Sequence, residues 1–139
     1  MYYDKLMYHP QDGFIYFDSI VEKDVFNDIL KNKRVTSFIQ NSRTNQGGVS
    51  FYIPEKDVFH SPDFIFMCNG NCWFTEVTSH SNLSEKLDFI KSKNVPDNYM
   101  LIIKDSKNQL LSLKKENFDE SNYYELKTWK KLLENYVNL

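Results

Sequence analysis

The sequence contains no alanine, only two cysteines, and no uninterrupted apolar stretch of about eighteen residues, the length that a membrane-spanning helix needs. The chain starts in mixed polar sequence, without the apolar segment of a secretory signal. We therefore predict a cytoplasmic protein with no membrane partner. In that compartment both thiols are expected to stay reduced, although a disulfide across neighbouring strands is conceivable from their spacing.

The chain also lacks an excess of charge of either sign, because 17 Lys and Arg stand against 19 Asp and Glu, a formal net charge of −2. Any contact with nucleic acid must then rely on local clusters or on a metal ion. The 139 residues, 41% of them hydrophobic, are sufficient for one folded domain over 1–139. The absence of alanine beside abundant Asn, Lys, Tyr, Ile and Phe is typical of AT-rich coding sequence, as in low-GC bacteria and their phages.

Two apolar segments, 62–68 and 72–78, flank an Asn-Gly-Asn turn and predict a β-hairpin. Asp63 opens the first strand, and Glu76 lies near the end of the second. Removing a carboxylate from water costs several kcal/mol unless a cation or hydrogen bonds compensate. Two carboxylates that converge in apolar strands therefore indicate a hard divalent metal ion.

Hydrophobic periodicity predicts three helices and several strands. The helices are expected over about 20–32, from 82–84 to 93, and over 121–137. Strands 49–53, 62–68 and 72–78 are expected to form an antiparallel meander. A crossover helix then places a parallel strand, 99–103, beside the strand of Glu76, and 109–113 follows as a strand. Residues 14–17 are interpreted as a packing arm or edge strand. The predicted fold class is α/β, a mixed sheet with flanking helices.

Two interpretations remain open for Glu22. Ser19 and Glu22 have the spacing of a capping box at a helix N-terminus. Glu22 also stands at helical spacing from Val25, Phe26 and Ile29, which places it on the inward side of the helix. It is thus a helix cap, a third acidic group of a site, or both.

The motif Pro62-Asp63, a twelve-residue spacer and Glu76-Val77-Thr78 resembles the core of the PD-(D/E)xK nucleases, whose signature is Pro-Asp, a spacer and Glu-x-Lys. The helix with Glu22 and the hydrophobic segment ending in Gln40 precede this motif. That order is similar to the TnsA-type transposon endonucleases and the phage head-completion nucleases. The resemblance covers roughly 19–105.

The resemblance implies a restriction-endonuclease-like core and metal-dependent hydrolysis of phosphodiester bonds in DNA, for a phage or a mobile element. It implies Mg²⁺ or Mn²⁺ held by Asp63, Glu76 and the backbone carbonyl of Val77. Glu22 would join through water or a second metal ion. DNA is the implied partner, and the resemblance also allows a protein subunit that supplies the DNA target.

The sequence departs from that signature at Thr78, where the family has its lysine. Loss of such a preorganised cation typically costs on the order of 10² to 10³ in rate. Lys86 is the candidate replacement, because on a helix over 84–93 it flanks the inward side; alternatively its side chain simply extends to solvent.

Other interpretations also remain. In one, the chain is a catalytically degenerate nuclease fold that binds a host protein or nucleic acid. In another, there is no site: Asp63 only starts a strand, and Glu76 pairs with a lysine. A zinc site is another interpretation, formed by Cys68, Cys72, His60 and His80. Their spacing is unusual for structural zinc, which favours the interpretation of the cysteines as small apolar core residues.

Overall fold

A computed structural model describes residues 19–41, 49–68, 70–104, 107, 109–115 and 127–128. The predicted arm at 14–17 lies outside these residues. The described part contains two α-helices, α1 (Ile20–Lys31) and α2 (Leu83–Ile90), the latter preceded by a 3₁₀ turn at His80–Asn82. Its strands are β1 (Val35–Gln40), β2 (Phe51–Ile53), β3 (Val58–His60), β4 (Phe64–Cys68), β5 (Asn71–Val77), β6 (Tyr99–Lys104), β7 (Leu110–Lys114) and β8 (Lys127–Thr128).

Six strands form one mixed sheet in the order β1-β4-β5-β6-β7-β8. Strands β5 and β6 are parallel, with Glu76 opposite Leu101, and the remaining neighbours are antiparallel. Because a parallel pair needs a crossover connection, α2 lies between β5 and β6 in the chain. The structure confirms the α/β class and the predicted position of strand 99–103 beside the Glu76 strand.

The hairpin of β4 and β5 forms as predicted, and Gly70 in its turn has φ +79. That left-handed conformation suits glycine, which has no Cβ to clash. The register pairs Phe64 with Thr75 and Cys68 with Asn71. The turn therefore fixes which side of the sheet each side chain of the hairpin occupies.

The predicted meander is wrong in one strand. Segment 49–53 does not join the main sheet: β2 pairs with β3 in a separate two-stranded sheet, and β1 takes the place beside β4. A β-bulge between Val35 and Ser37 allows both Val35 and Phe38 to be buried. Strand β3 was not predicted, because its Val58 and Phe59 are exposed and give no alternating signal.

The predicted C-terminal helix over 121–137 is also wrong as a continuous element. Lys127 and Thr128 form β8, in register with Ser112 and Leu111 of β7. Apolar spacing in that segment is compatible with a helix, but pairing with the edge of β7 satisfies the backbone at these two positions. The rest of the segment lies outside the described residues.

The core has two layers, one on each side of the main sheet. The side covered by α1 buries Val25, Phe26, Ile29, Leu30, Val35, Phe38, Phe64, Phe66, Cys68, Trp73, Met100 and Ile102. The side covered by α2 and the β2–β3 hairpin buries Ile53, Leu83, Leu87, Phe89, Ile90, Val95, Tyr99, Leu101, Ile103 and Leu113. Along β5, Trp73 belongs to the first side and Phe74 packs on the second, so alternation assigns Glu76 to the side of α2.

Ser19 is the N-cap of α1, as the capping-box pattern predicts. Its backbone is extended, and its Oγ accepts a hydrogen bond of 3.1 Å from the Glu22 backbone N–H. We expect Ser19→Ala to lower the free energy of unfolding by about 1 kcal/mol, since one N–H at the helix start loses its partner. Urea denaturation measures the change. Ser84→Ala, at an exposed position of α2, is the control. An equal loss of stability in both variants would contradict the capping role of Ser19.

Candidate functional site

Asp63 is bonded to both neighbours of Glu76 on the adjacent strand. Its backbone N–H donates to the Thr75 carbonyl at 2.8 Å, and its Oδ2 accepts from the Val77 N–H at 2.7 Å. The carboxylate thus extends the β4–β5 hydrogen bonding by one residue before the start of β4. This arrangement fixes the Asp63 side chain beside Glu76 and meets the prediction that the two carboxylates converge.

Asn41 holds the backbone that leads into Asp63. Its Nδ2 donates to the carbonyls of Pro62 and Val49, both at 2.8 Å, and its Oδ1 accepts from the Val49 N–H at 2.9 Å. The Asn41 N–H also donates to the Asp63 carbonyl at 2.8 Å. Sequence reasoning missed this residue, because an Asn after a strand usually marks only a turn.

Glu76 is a buried carboxyl group with one close cation. Its Oε1 lies 3.0 Å from the Lys86 Nζ, whereas its Oε2 has no hydrogen-bond partner among the described residues. Burial, and then the charge of Asp63, raise the pKa of Glu76 from 4.5 to about 8. The Lys86 ammonium lowers the pKa but does not overcome those two effects. The carboxyl group therefore favours its protonated form near neutral pH.

Lys86 extends from α2 into this site, with a side chain only 16% exposed. Its Nζ also lies 5.4 Å from the centre of the Phe89 ring, one turn further along the helix. Of the two interpretations made from sequence, the structure shows the one in which Lys86 meets the carboxylate. A cation–π contact and an ion pair both favour this placement of the ammonium.

Thr78, at the position of the family lysine, is buried and carries no charge. Its N–H donates to the Ile102 carbonyl at 2.9 Å, while its Oγ1 has no hydrogen-bond partner in the described part of the chain. The N–H of the preceding residue, Val77, donates a hydrogen bond to Asp63 Oδ2. The ligand role of the Val77 carbonyl stays a prediction.

Glu22 is buried on α1, the helix that covers the other side of the sheet from Lys86. Within the residues that the structure describes, no group of three or more His, Cys, Asp or Glu side chains is placed to share a metal ion. Glu22 is thus not grouped with Asp63 and Glu76. Its role as a third acidic group of the site stays a prediction.

Cys68 and His60 lie on different sides of the sheet. Cys68 is buried in the layer under α1, whereas His60 is hydrogen-bonded to the Tyr99 hydroxyl in the layer under α2. Both cysteines are free thiols. This geometry agrees with the interpretation of the cysteines as apolar filler and does not support a shared zinc ion.

His60 and Tyr99 form a buried polar pair on the α2 side of the sheet, and the sequence did not predict this pair. Burial raises the pKa of Tyr99 well above its ordinary value, and the charges of Glu76 and Asp63 raise it further. The hydroxyl therefore lies within the electrostatic reach of both carboxylates. His60 and Tyr99 are 39 residues apart in the chain, so the sequence does not predict their hydrogen bond.

The site residues fit one magnesium or manganese ion. Magnesium is usually held by one or two carboxylates, with water completing its shell. Asp63 and Glu76 supply two such groups. The buried Glu76 Oε2 has no hydrogen-bond partner among the described residues, so this oxygen is available as a metal ligand. A divalent cation would also offset the proximity of the two carboxylates, which otherwise raises the pKa of Glu76.

Comparison with protein-family models found no match to this chain, and comparison with curated protein sequences found none either. Among the described helices, none combines the length and the apolar character that crossing a membrane requires. The residues of the site are therefore the basis for assigning a function.

Proposed function

We propose that this chain is a metal-dependent endonuclease that hydrolyses phosphodiester bonds in DNA. The observation that carries this proposal is the half-buried Lys86, whose Nζ lies 3.0 Å from Glu76 Oε1, on the carboxyl group that neighbours Asp63. The family motif requires two carboxylates and a cation at one place. Here the cation is Lys86 of α2, and Thr78 occupies the position where the motif has its lysine.

Each residue has a separate task in the proposed reaction. Asp63 and Glu76 would hold the metal ion, which when bound would activate water and stabilise charge on the phosphate. The Val77 N–H keeps the Asp63 carboxylate in place, at 2.7 Å. Lys86 supplies the positive charge that stabilises developing negative charge on the phosphate.

The order of elements supports a restriction-endonuclease-like core. Helix α1 is followed by the antiparallel strands β1, β4 and β5, then by α2 and the parallel strand β6. This order places Asp63 at the start of the middle antiparallel strand and Glu76 near the end of the next. The β2–β3 hairpin is inserted between β1 and β4.

DNA is the proposed substrate, and a partner subunit is the proposed source of its targeting. A net charge of −2 gives the chain no general attraction for DNA. Binding would then depend on the metal ion, on Lys86 and on a second protein. A phage or mobile element is the proposed origin, since the motif order resembles nucleases of both.

One observation favours a second function. The Lys86 ammonium lies 3.0 Å from Glu76 without any metal ion, and burial raises the pKa of the Glu76 carboxyl group to about 8. Such a site can be stable in a protein that has lost catalysis. The alternative is a degenerate nuclease fold that binds a host protein or nucleic acid.

Metal binding separates the two functions. Wild-type protein in manganese at ten times its Kd should gain about 1.4 kcal/mol of stability, because only the folded state binds the ion. Asp63→Asn should lose this gain, whereas Glu85→Gln, an exposed acidic control on α2, should keep it. Thermal unfolding measures the gain, and nicking of duplex DNA in manganese measures activity. An unchanged melting curve without cleavage would point to the degenerate fold.

A further inference from the structure

We propose that His60 is a positioning residue for the Lys86–Glu76 pair, acting through the ring of Phe89. This inference rests on the proposed function for its catalytic consequence, but its structural part does not. His60 ends β3, the strand that precedes Asp63, and it is 3% exposed. It is therefore a buried polar side chain for which the proposed reaction has no direct use.

The His60 ring contacts two aromatic residues of the α2 side of the core. Its centre lies 4.9 Å from that of Phe89, with the planes inclined by 34°, and 5.5 Å from that of Tyr99. Its Nε2 is hydrogen-bonded to the Tyr99 hydroxyl. The hydrogen bond fixes the orientation of the imidazole, and the imidazole in turn fixes the Phe89 ring.

The Phe89 ring is also the surface on which the Lys86 ammonium rests. The Lys86 Nζ is 5.4 Å from the ring centre and 3.0 Å from Glu76 Oε1. A lysine has four flexible carbon–carbon bonds, so the ammonium stays at one place only where its surroundings restrict it. A displaced Phe89 ring would allow Lys86 to leave Glu76 for solvent.

The hairpin that carries His60 is attached to α2 and the turn after it by three polar contacts. Asn94 Nδ2 donates to the Tyr52 carbonyl at 2.8 Å, and Ser92 Oγ donates to Glu55 at 3.2 Å. Lys56 pairs with Asp88 at 3.5 Å. These contacts hold the hairpin against the helix that carries both Lys86 and Phe89, so His60 is fixed relative to the site.

Three variants test the contact between His60 and Phe89. His60→Leu removes both the ring and the hydrogen bond. His60→Leu with Tyr99→Phe removes the ring without leaving the tyrosine hydroxyl unpaired, whereas His60→Phe with Tyr99→Phe keeps a ring and removes both polar groups. Replacing both partners of a buried hydrogen bond by apolar groups of similar shape is often nearly neutral for stability. The two double variants therefore differ mainly in the ring that contacts Phe89.

The first measurement needs neither metal nor activity. In the metal-free protein, the Lys86 side-chain protons should show ring-current shifts from Phe89 by NMR. Both leucine variants should move these resonances toward ordinary lysine values, and the double phenylalanine variant should restore them. Phe59→Leu, on the exposed outer face of the same strand, is the control that should leave them unchanged. Unchanged Lys86 resonances in folded leucine variants would overturn the proposal.

The second measurement is steady-state DNA cleavage in manganese. The leucine variants should lower kcat about tenfold with KM within about twofold, as loss of an interaction made in the transition state does. The double phenylalanine variant should restore kcat. Equal kcat in the two double variants would overturn the catalytic part of the proposal. If the wild type does not cleave DNA while the Lys86 resonances move as expected, the proposed function fails and the positioning role stands.

Discussion

Lys86→Met is expected to lower the rate of metal-dependent DNA cleavage by on the order of 10² to 10³, the usual cost of removing one preorganised group that stabilises transition-state charge. Methionine keeps an unbranched stem on the Phe89 ring and removes only the ammonium that lies 3.0 Å from Glu76. Folding should change little, because the buried Glu76 carboxyl group can stay protonated when its cation is absent. Single-turnover cleavage of duplex DNA measures the effect.

Lys56→Met is the matched control for this prediction. The Lys56 Nζ also lies 5.4 Å from the centre of the Phe89 ring, but it pairs with Asp88 and is more exposed. Its loss should leave cleavage within about threefold, because an exposed ion pair contributes little and the contacts of Asn94 and Ser92 still hold the hairpin. Thr78→Lys in wild type should add little if Lys86 already supplies the charge. Full activity of Lys86→Met would refute the catalytic role of Lys86.

Much of the fold was predictable because local patterns and tertiary packing agree. The Asn-Gly turn, the Ser19 cap and the fully apolar strand at Tyr99–Lys104 each specify their own structure. The second neighbour of β4, on the side away from β5, was not predictable. Both 35–40 and 49–53 can form strands, and only long-range packing chooses between them. The pairing of β1 with β4 also includes a bulge near Val35, which has no local sequence signal.

In the candidate site, the proximity of Asp63, Glu76 and Lys86 was predictable, but their surroundings were not. Strand alternation and the Pro-Asp motif were enough to bring Asp63 and Glu76 together. The roles of Asn41 and His60 depend on contacts with residues 21 and 39 positions away. Helical spacing alone could not show on which side of the sheet Glu22 would lie.

The free energy of unfolding of the metal-free protein is expected to fall as pH rises between about 4.5 and 8. The pKa of Glu76 is raised from 4.5 to about 8 in the folded state, so within this range the folded chain binds a proton that the unfolded chain has released. Stability must then decrease with pH, by at most about 1.4 kcal/mol per pH unit. Over the whole range the decrease is therefore limited to about 5 kcal/mol.

Urea denaturation of wild type and Glu76→Gln from pH 5 to pH 8.5 measures this decrease, since glutamine keeps the shape and cannot titrate. The variant should show a flatter profile and exceed wild type in stability at the alkaline end. The exposed Glu85→Gln removes the same charge and should follow wild type. Saturating manganese should flatten the wild-type profile, because a metal ion favours the ionised carboxylates and displaces their proton. Parallel profiles of wild type and Glu76→Gln without metal would mean that Glu76 ionises normally in the folded protein, and the pair of Asp63 and Glu76 would then not be poised for a cation.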